Sequence, residues 1–262
     1  MIYDYTWGHL KLIAEVCNGE ITDENSITDN WITVLENNQK DTFPFTMWPL
    51  SYLNSVIITS SFFNSPSSVL VPGSPIRVDF YDTNNEVLIV CFKCECEFGK
   101  DMDITDIMPV KLHKHLKKQI MKELSRINKQ VREINLNCII FTGFRSGSVV
   151  AMLMSLSIHA ALESQSTFLK TDPTNIDCVV FSPSHASVSL NKNLGETLSR
   201  YIPVYHSSDY TTPVTKEYSL ILSSEVDTKR SILSLIQSSK PVSDAPLSVY
   251  IEAIQRKILL VV

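Results

Sequence analysis

The chain has 262 residues, 44% hydrophobic and 19% charged, with 28 acidic against 23 basic side chains and a net charge of −5. That composition excludes collagen-like, low-complexity and disordered classes, and it supplies no overall charge to attract nucleic acid. Only seven residues are glycine, where roughly eighteen would be ordinary at about 7% usage, so each position that keeps one carries information.

Residues 1–74 read as an N-terminal extension packed on the core, helical around Leu10, Leu12, Ile13 and Val16 and without assignment through the aromatic segment Phe43 to Tyr52. Residues 75–262 read as one compact α/β unit. Ile76 to Tyr81 and Val87 to Phe92, separated by Asp82-Thr83-Asn84-Asn85, predict a β-hairpin. Apolar residues at 112, 116, 120, 124, 127, 131 and 134 then define one face of a helix. Its opposite face carries Lys111, Lys114, Lys117, Lys118, Lys122, Arg126, Lys129 and Arg132. A nucleic-acid or membrane surface would be the functional reading of that basic face, but aromatic residues to stack on bases are absent and the whole chain is acidic, so the stripe is read as a solvated helix face.

Cys138 to Phe141 is a buried strand in this reading, followed by an apolar helix from about Ser148 to Leu162 and a second buried strand, Cys178 to Phe181. A helix from Leu190 to Tyr201, strands at Pro203 to His206 and Tyr218 to Leu222, and a last helix from Leu247 to Ile258 complete the order. Strands alternating with helices predict a mostly parallel sheet covered on both faces. The apolar runs fall short of the ~20 residues that a membrane span needs.

Six cysteines in a chain too long to need stapling, with no basic segment at the amino terminus, predict reduced thiols, no signal peptide and a cytoplasmic protein. Cys91-x-x-Cys94-x-Cys96 admits a metal reading. No second cysteine pair or histidine pair completes a tetrahedral set, so no metal and no other cofactor is expected.

The chemistry-bearing segment is Gly143-Phe144-Arg145-Ser146-Gly147, placed between a strand and a helix. An α/β-hydrolase nucleophile elbow has that context and the pattern G-x-S-x-G, because the nucleophile occupies a strained turn whose neighbours must lack side chains. Both glycines are present here, and Arg145 stands at the centre.

With this segment the sequence resembles the class 3 (fungal-type) triacylglycerol lipase family from about residue 76 to 256. Cys91-Phe92-Lys93-Cys94-Glu95 occupies the place of that family's phenylalanine-arginine-glycine-threonine strand end. Phe181-Ser182-Pro183 is similar to its phenylalanine-glycine-x-proline strand end. Tyr205 to Pro213 is similar to the segment carrying the catalytic aspartate, and Asp244-Ala245-Pro246-Leu247-Ser248-Val249-Tyr250 to the aspartate-histidine segment before the last helix.

The resemblance implies an α/β-hydrolase-like fold and, position by position, a lost reaction. Arg145 stands at the nucleophile position and cannot attack a carbonyl as a protonated guanidinium. Asp209 keeps the acid position. Ala245 replaces the base, and the last histidine, His206, precedes Asp209 instead of following it. Glu95 stands where a hydrogen-bond donor to the oxyanion belongs, and an ionised carboxylate would repel that charge. Arg145, Glu95 and Asp209 are expected to form an ion-paired cluster, since a lone arginine in a closed pocket is costly. A displaced nucleophile at Ser146 or Ser148, with His206 or His185 recruited from loops, is the enzymatic alternative, and neither serine has glycine on both sides. The expected function is that of a catalytically inactive lipase-like protein serving as a structural or protein-interaction module, with a protein partner or self-association. Lipid or acyl-chain binding in the old substrate pocket is the alternative.

Overall fold

The computed structural model describes residues 5, 7–19, 50–59, 75–83, 87–94, 108, 110–130, 138–164, 176–183, 188–198, 200–206, 220–222 and 246–261. Among the described residues seven strands form one sheet whose spatial order follows the chain: β1 (Ser51–Thr59), β2 (Pro75–Asp82), β3 (Val87–Cys94), β4 (Cys138–Phe144), β5 (Ile176–Phe181), β6 (Arg200–His206) and β7 (Leu220–Leu222). β1, β2 and β3 pair antiparallel, and β3 through β7 run parallel.

A parallel sheet that always advances in one direction, joined by right-handed crossovers, puts every crossover helix on the same face. Helices α2 (Val110–Gln130), α3 (Ser146–Glu163) and α4 (Val188–Thr197) follow this rule. Their buried side chains share a core with Leu88, Val90, Phe92, Ile139 and Phe141. The alternate strand residues Val87, Ile89, Cys91, Cys138 and Ile140 point the other way. They are covered by α1 (Trp7–Asn18) and α5 (Leu247–Val261), the first and last described helices. Both faces of β3, β4 and β5 are therefore buried, which is why these strands read as unbroken apolar runs. The expected α/β fold with helices on both faces is the one observed.

The N-terminal region does more than cap the core. α1 is buried from Gly8 to Val16, including an ion pair between Lys11 and Glu15 at 3.1 Å. β1 adds an edge strand, which hydrophobic patterning through residues 43–52 did not predict. A polar tie fixes that edge: Asn54 donates from Nδ2 to Oε1 of Glu123 in α2 at 2.8 Å, and the Arg126 guanidinium holds the same oxygen.

The hairpin forms as expected, with Thr83 and Val87 closing it through a backbone bond of 3.0 Å and a side-chain bond of 3.1 Å. In α2 the apolar positions Leu112, Leu116, Ile120, Leu124 and Ile127 are buried, Lys111, Lys114, Lys118, Lys122 and Lys129 are exposed, and Val131, Arg132 and Ile134 lie outside the described residues. The helix expected to reach Tyr201 instead ends at Thr197, and β6 begins at Arg200. Pro203 suggested a strand start, yet it lies inside the strand opposite Val180, where fixed φ suits extended backbone.

One further expectation, that all the thiols are reduced, needs correction. Cys17, Cys91, Cys138 and Cys178 are free thiols, but Cys94 is disulfide-bonded. Burial pushes the Cys178 thiol up to about 12, so it is inert at neutral pH. The apolar helix α3 is, by length and composition, long enough to cross a membrane, and most of it is buried inside the core.

Leu116→Ala is expected to cost about 2–5 kcal/mol in urea unfolding, as a buried truncation does, whereas Lys118→Ala should shift stability by no more than about 0.5 kcal/mol. Burial pushes the Glu123 carboxyl up, but hydrogen bonds from Arg126 and Asn54 and nearby positive charge outweigh it, and its pKa falls below the ordinary value. Stability from this group is therefore present above the unfolded value of about 4.3 and is lost as pH drops through the lower folded value. Glu123→Gln should flatten that part of the acid limb in a stability-against-pH series; an unchanged slope would remove the assignment.

Candidate functional site

β4 ends at Phe144 and α3 begins at Ser146, so the chain reverses direction in the single residue Arg145. No ordinary conformation does this. Arg145 has φ 49° and ψ −113°, outside the extended, right-handed and left-handed helical regions open to side-chain-bearing residues. Such a backbone costs on the order of 1–3 kcal/mol and persists only where the surroundings over-determine it.

Those surroundings are visible. The Arg145 N–H donates to the Phe181 carbonyl on β5 at 3.0 Å, and the Arg145 carbonyl accepts from the N–H groups of Ser148 at 3.0 Å and Val149 at 3.4 Å. The Ser148 hydroxyl also donates to that carbonyl.

The two glycines supply space, and each does so against a different neighbour. A Cβ on Gly143 would lie 2.4 Å from the carbonyl carbon and oxygen of Gly147 and 2.8 Å from the nitrogen of Ser148, so the strand end could not sit beneath the first turn of α3. A Cβ on Gly147 would lie 2.2 Å from the Phe92 carbonyl oxygen, so that turn could not lie against β3. Side-chain-free neighbours, expected from the G-x-x-x-G frame, are thus a steric requirement of the close approach of helix and strand.

A second strained residue marks the next strand. Ser182, just past β5, has φ 48°, and its N–H donates to the Val204 carbonyl on β6 at 2.8 Å. Phe181-Ser182-Pro183 is similar to a motif with glycine at this position, and a non-glycine residue in a glycine slot is the sequence signal for the positive φ, which local pattern alone does not predict.

Because β3 through β7 are parallel, the ends bearing Cys94, Arg145, Ser182 and His206 share one edge of the sheet, the edge where open α/β sheets bind ligands. Arg145 is partly exposed there, its guanidinium 5.0 Å from the centroid of the Phe144 ring. Phe144 meets Tyr250 edge-on at 5.9 Å, and Tyr250 meets Phe181 at 6.2 Å. Tyr250, fully buried, thereby docks α5 under the turn; its role was not legible from sequence. Glu95, Asp209 and Ala245 lie outside the described residues, and with them the expected ion-paired cluster.

Of the alternative nucleophiles and bases, Ser146, Ser148 and the strand-end position of His206 are described, and His185 lies outside the described residues. Ser148 is fully buried with its hydroxyl on the Arg145 carbonyl, and Ser146 is 6% exposed. His159 is fourteen positions along α3 from the turn, about 20 Å at 1.5 Å per residue, and His113 contacts Ser157 at that same remote end. Among the described residues no group of three or more histidine, cysteine or acidic side chains could hold a metal.

No family model matches the sequence, and no curated protein matches it significantly. Among solved structures the chain is similar to an MDLA variant of Penicillium cyclopium, at 9% identity over 90% of each chain with a TM-score of 0.48. It is also similar to a lipase from Rhizopus microsporus var. chinensis, at 9% identity over 84% of this chain and 73% of that one, TM-score 0.44. The triacylglyceride lipase of Rhizomucor miehei gives 9% identity over 82% and 78%, TM-score 0.44. At such identity these likenesses concern the course of the chain and assign no residue a role.

Helix propensity alone makes Gly147→Ala stabilising by about 1 kcal/mol. The contact with the Phe92 carbonyl reverses the sign: both Gly147→Ala and Gly143→Ala are expected to lose about 1–3 kcal/mol or more in chemical denaturation. A stabilised Gly147→Ala variant would refute the steric account.

Proposed function

We propose that this chain is a catalytically inactive lipase-like protein that works as a protein-interaction module. The observation that carries the reading is Arg145 at the one-residue turn. In a hydrolase elbow this backbone presents a hydroxyl to the substrate; here it presents a guanidinium, a hydrogen-bond donor with no hydroxyl or thiol to attack a carbonyl. The buried, engaged hydroxyl of Ser148 supports the same reading. So does the histidine inventory: none of the six histidines follows His206 in sequence, so no base follows the aspartate position in the order the resemblance requires.

The interaction role draws on charge. α2 presents five exposed lysines, Lys111, Lys114, Lys118, Lys122 and Lys129, on a chain whose net charge is −5. That asymmetry suits an acidic protein surface, other copies of this chain included. Sedimentation at low and high salt tests this, with association weakened by salt and by Lys114→Glu together with Lys118→Glu; salt-independent monomers would count against self-association.

Fluorophosphonate labelling, run beside an active lipase, should leave every serine of this chain unmodified. Arg145→Ser is expected to restore no ester hydrolysis above background, since a nucleophile without base and oxyanion donors gains little. Stoichiometric labelling of any serine in the native chain would overturn the inactive reading.

A further inference from the structure

On the face of the sheet opposite the crossover helices, the end of α1 lies against the middle of β3 and β4. Cys17, the second-last residue of α1, is partly exposed, and Cys91 in β3 is fully buried. Their sulfurs are 3.8 Å apart, in van der Waals contact and unbonded. The Thr142 hydroxyl on β4 is 3.3 Å from the Cys17 sulfur, and the Cys91 thiol is directed at the Val16 carbonyl at 3.8 Å.

Positive charge stands close. A Cβ on Gly19, two residues past Cys17, would lie 3.4 Å from Lys93 Nζ, and Lys93 is held there by Asp79 at 3.0 Å. These surroundings set the two thiols apart. Burial pushes the Cys17 thiol up, but its hydrogen bonds with Cys91 and Thr142 and the charge of Lys93 outweigh burial and leave it below the ordinary cysteine value. Burial, with the Cys17 sulfur beside it, pushes the Cys91 thiol well up.

A partly exposed thiol held below the ordinary cysteine value, touching a buried thiol held above it, is the arrangement of an attacking and a resolving cysteine. We propose that Cys17 and Cys91 are a redox-active dithiol that hydrogen peroxide converts to a disulfide, with Cys17 attacking and Cys91 resolving. In the first step the Cys17 thiolate sulfur attacks one peroxide oxygen, the O–O bond breaks, and the departing hydroxide takes up a proton as water; Cys17 becomes a sulfenic acid. In the second step the Cys91 sulfur attacks the Cys17 sulfur, the S–O bond breaks, and hydroxide leaves with the Cys91 proton as a second water. Two thiols lose two electrons, and one peroxide is reduced to two waters.

The product ties α1 to β3 behind the strand that ends in the Arg145 turn. This reaction needs no acyl-transfer chemistry, and its attacking residue, Cys17, belongs to the N-terminal extension and has no place in the resemblance.

Peptide mapping after graded hydrogen peroxide, with blocking of remaining thiols in denaturant, tests this on the native full chain. A Cys17–Cys91 cross-linked peptide is expected, lighter by two hydrogens, about 2 Da, while Cys138 and Cys178 remain blocked as free thiols. Cys17 should be consumed at least about 10-fold faster than Cys138. In Cys91→Ser, Cys17 should accumulate as a sulfenic acid trapped by dimedone; the cross-link in the unaltered chain stands as the measure if that variant does not fold. Cys17 and Cys91 recovered as free thiols at doses that oxidise Cys138, or Cys17 joined to any cysteine other than Cys91, would overturn the proposal.

Discussion

The approach of α3 to its own strand and to β3 is the constraint on which the rest depends. With one residue between Phe144 and Ser146, the chain must turn sharply, and the first helical turn must then lie within backbone contact distance of two strands. Gly143 and Gly147 make the contact possible, and Arg145 absorbs the conformational cost. Once the turn is fixed, α3 is aimed down the middle of the sheet, where Val149, Val150, Met152 and Met154 are fully buried. The hydrogen bond from Arg145 to the Phe181 carbonyl then links the turn to β5.

A strained backbone usually marks chemistry, because strain is tolerated where it positions a reacting group. Arg145 shows the same strain with a side chain that cannot perform acyl transfer. The geometry is explained without selection for a reaction: replacing it by a relaxed loop would require moving α3 away from β3 and opening the core that both share. In this protein the packing of α3 against β3 and β4 is sufficient to account for the turn.

Much of this was legible in the sequence for physical reasons that differ by element. β3, β4 and β5, buried on both faces, appear as short apolar runs; α2 shows helical spacing because only one of its faces is buried; and in a chain poor in glycine, two glycines four apart between strand and helix point to close backbone approach. β1 was not legible, because an edge strand such as Ser51–Thr59 mixes Ser55 and Asn54 with apolar residues and gains part of its hold from a polar tie to Glu123. The start of β6 was misplaced because Pro203 looked like a boundary. Of the candidate site, the turn and its glycines were readable in advance, while the positive φ of Ser182, the docking of Tyr250 and the contact of Cys17 with Cys91 depend on tertiary neighbours that no local pattern reveals.

The α1 face adds a second layer to this picture. α1 and α5 close the side of the sheet that the crossover helices leave open, and Cys17, Cys91 and Thr142 sit together there, with Thr142 three residues before Arg145 in the chain. The central claim, however, is that packing holds Arg145 in a costly backbone. Comparing Arg145→Gly with Arg145→Ala by chemical denaturation tests it most directly, since neither variant keeps the guanidinium and they differ only in a Cβ. The account predicts the glycine variant to be the more stable by about 1 kcal/mol or more, because glycine adopts the turn with little strain. An alanine variant equal to or more stable than the glycine variant would contradict it.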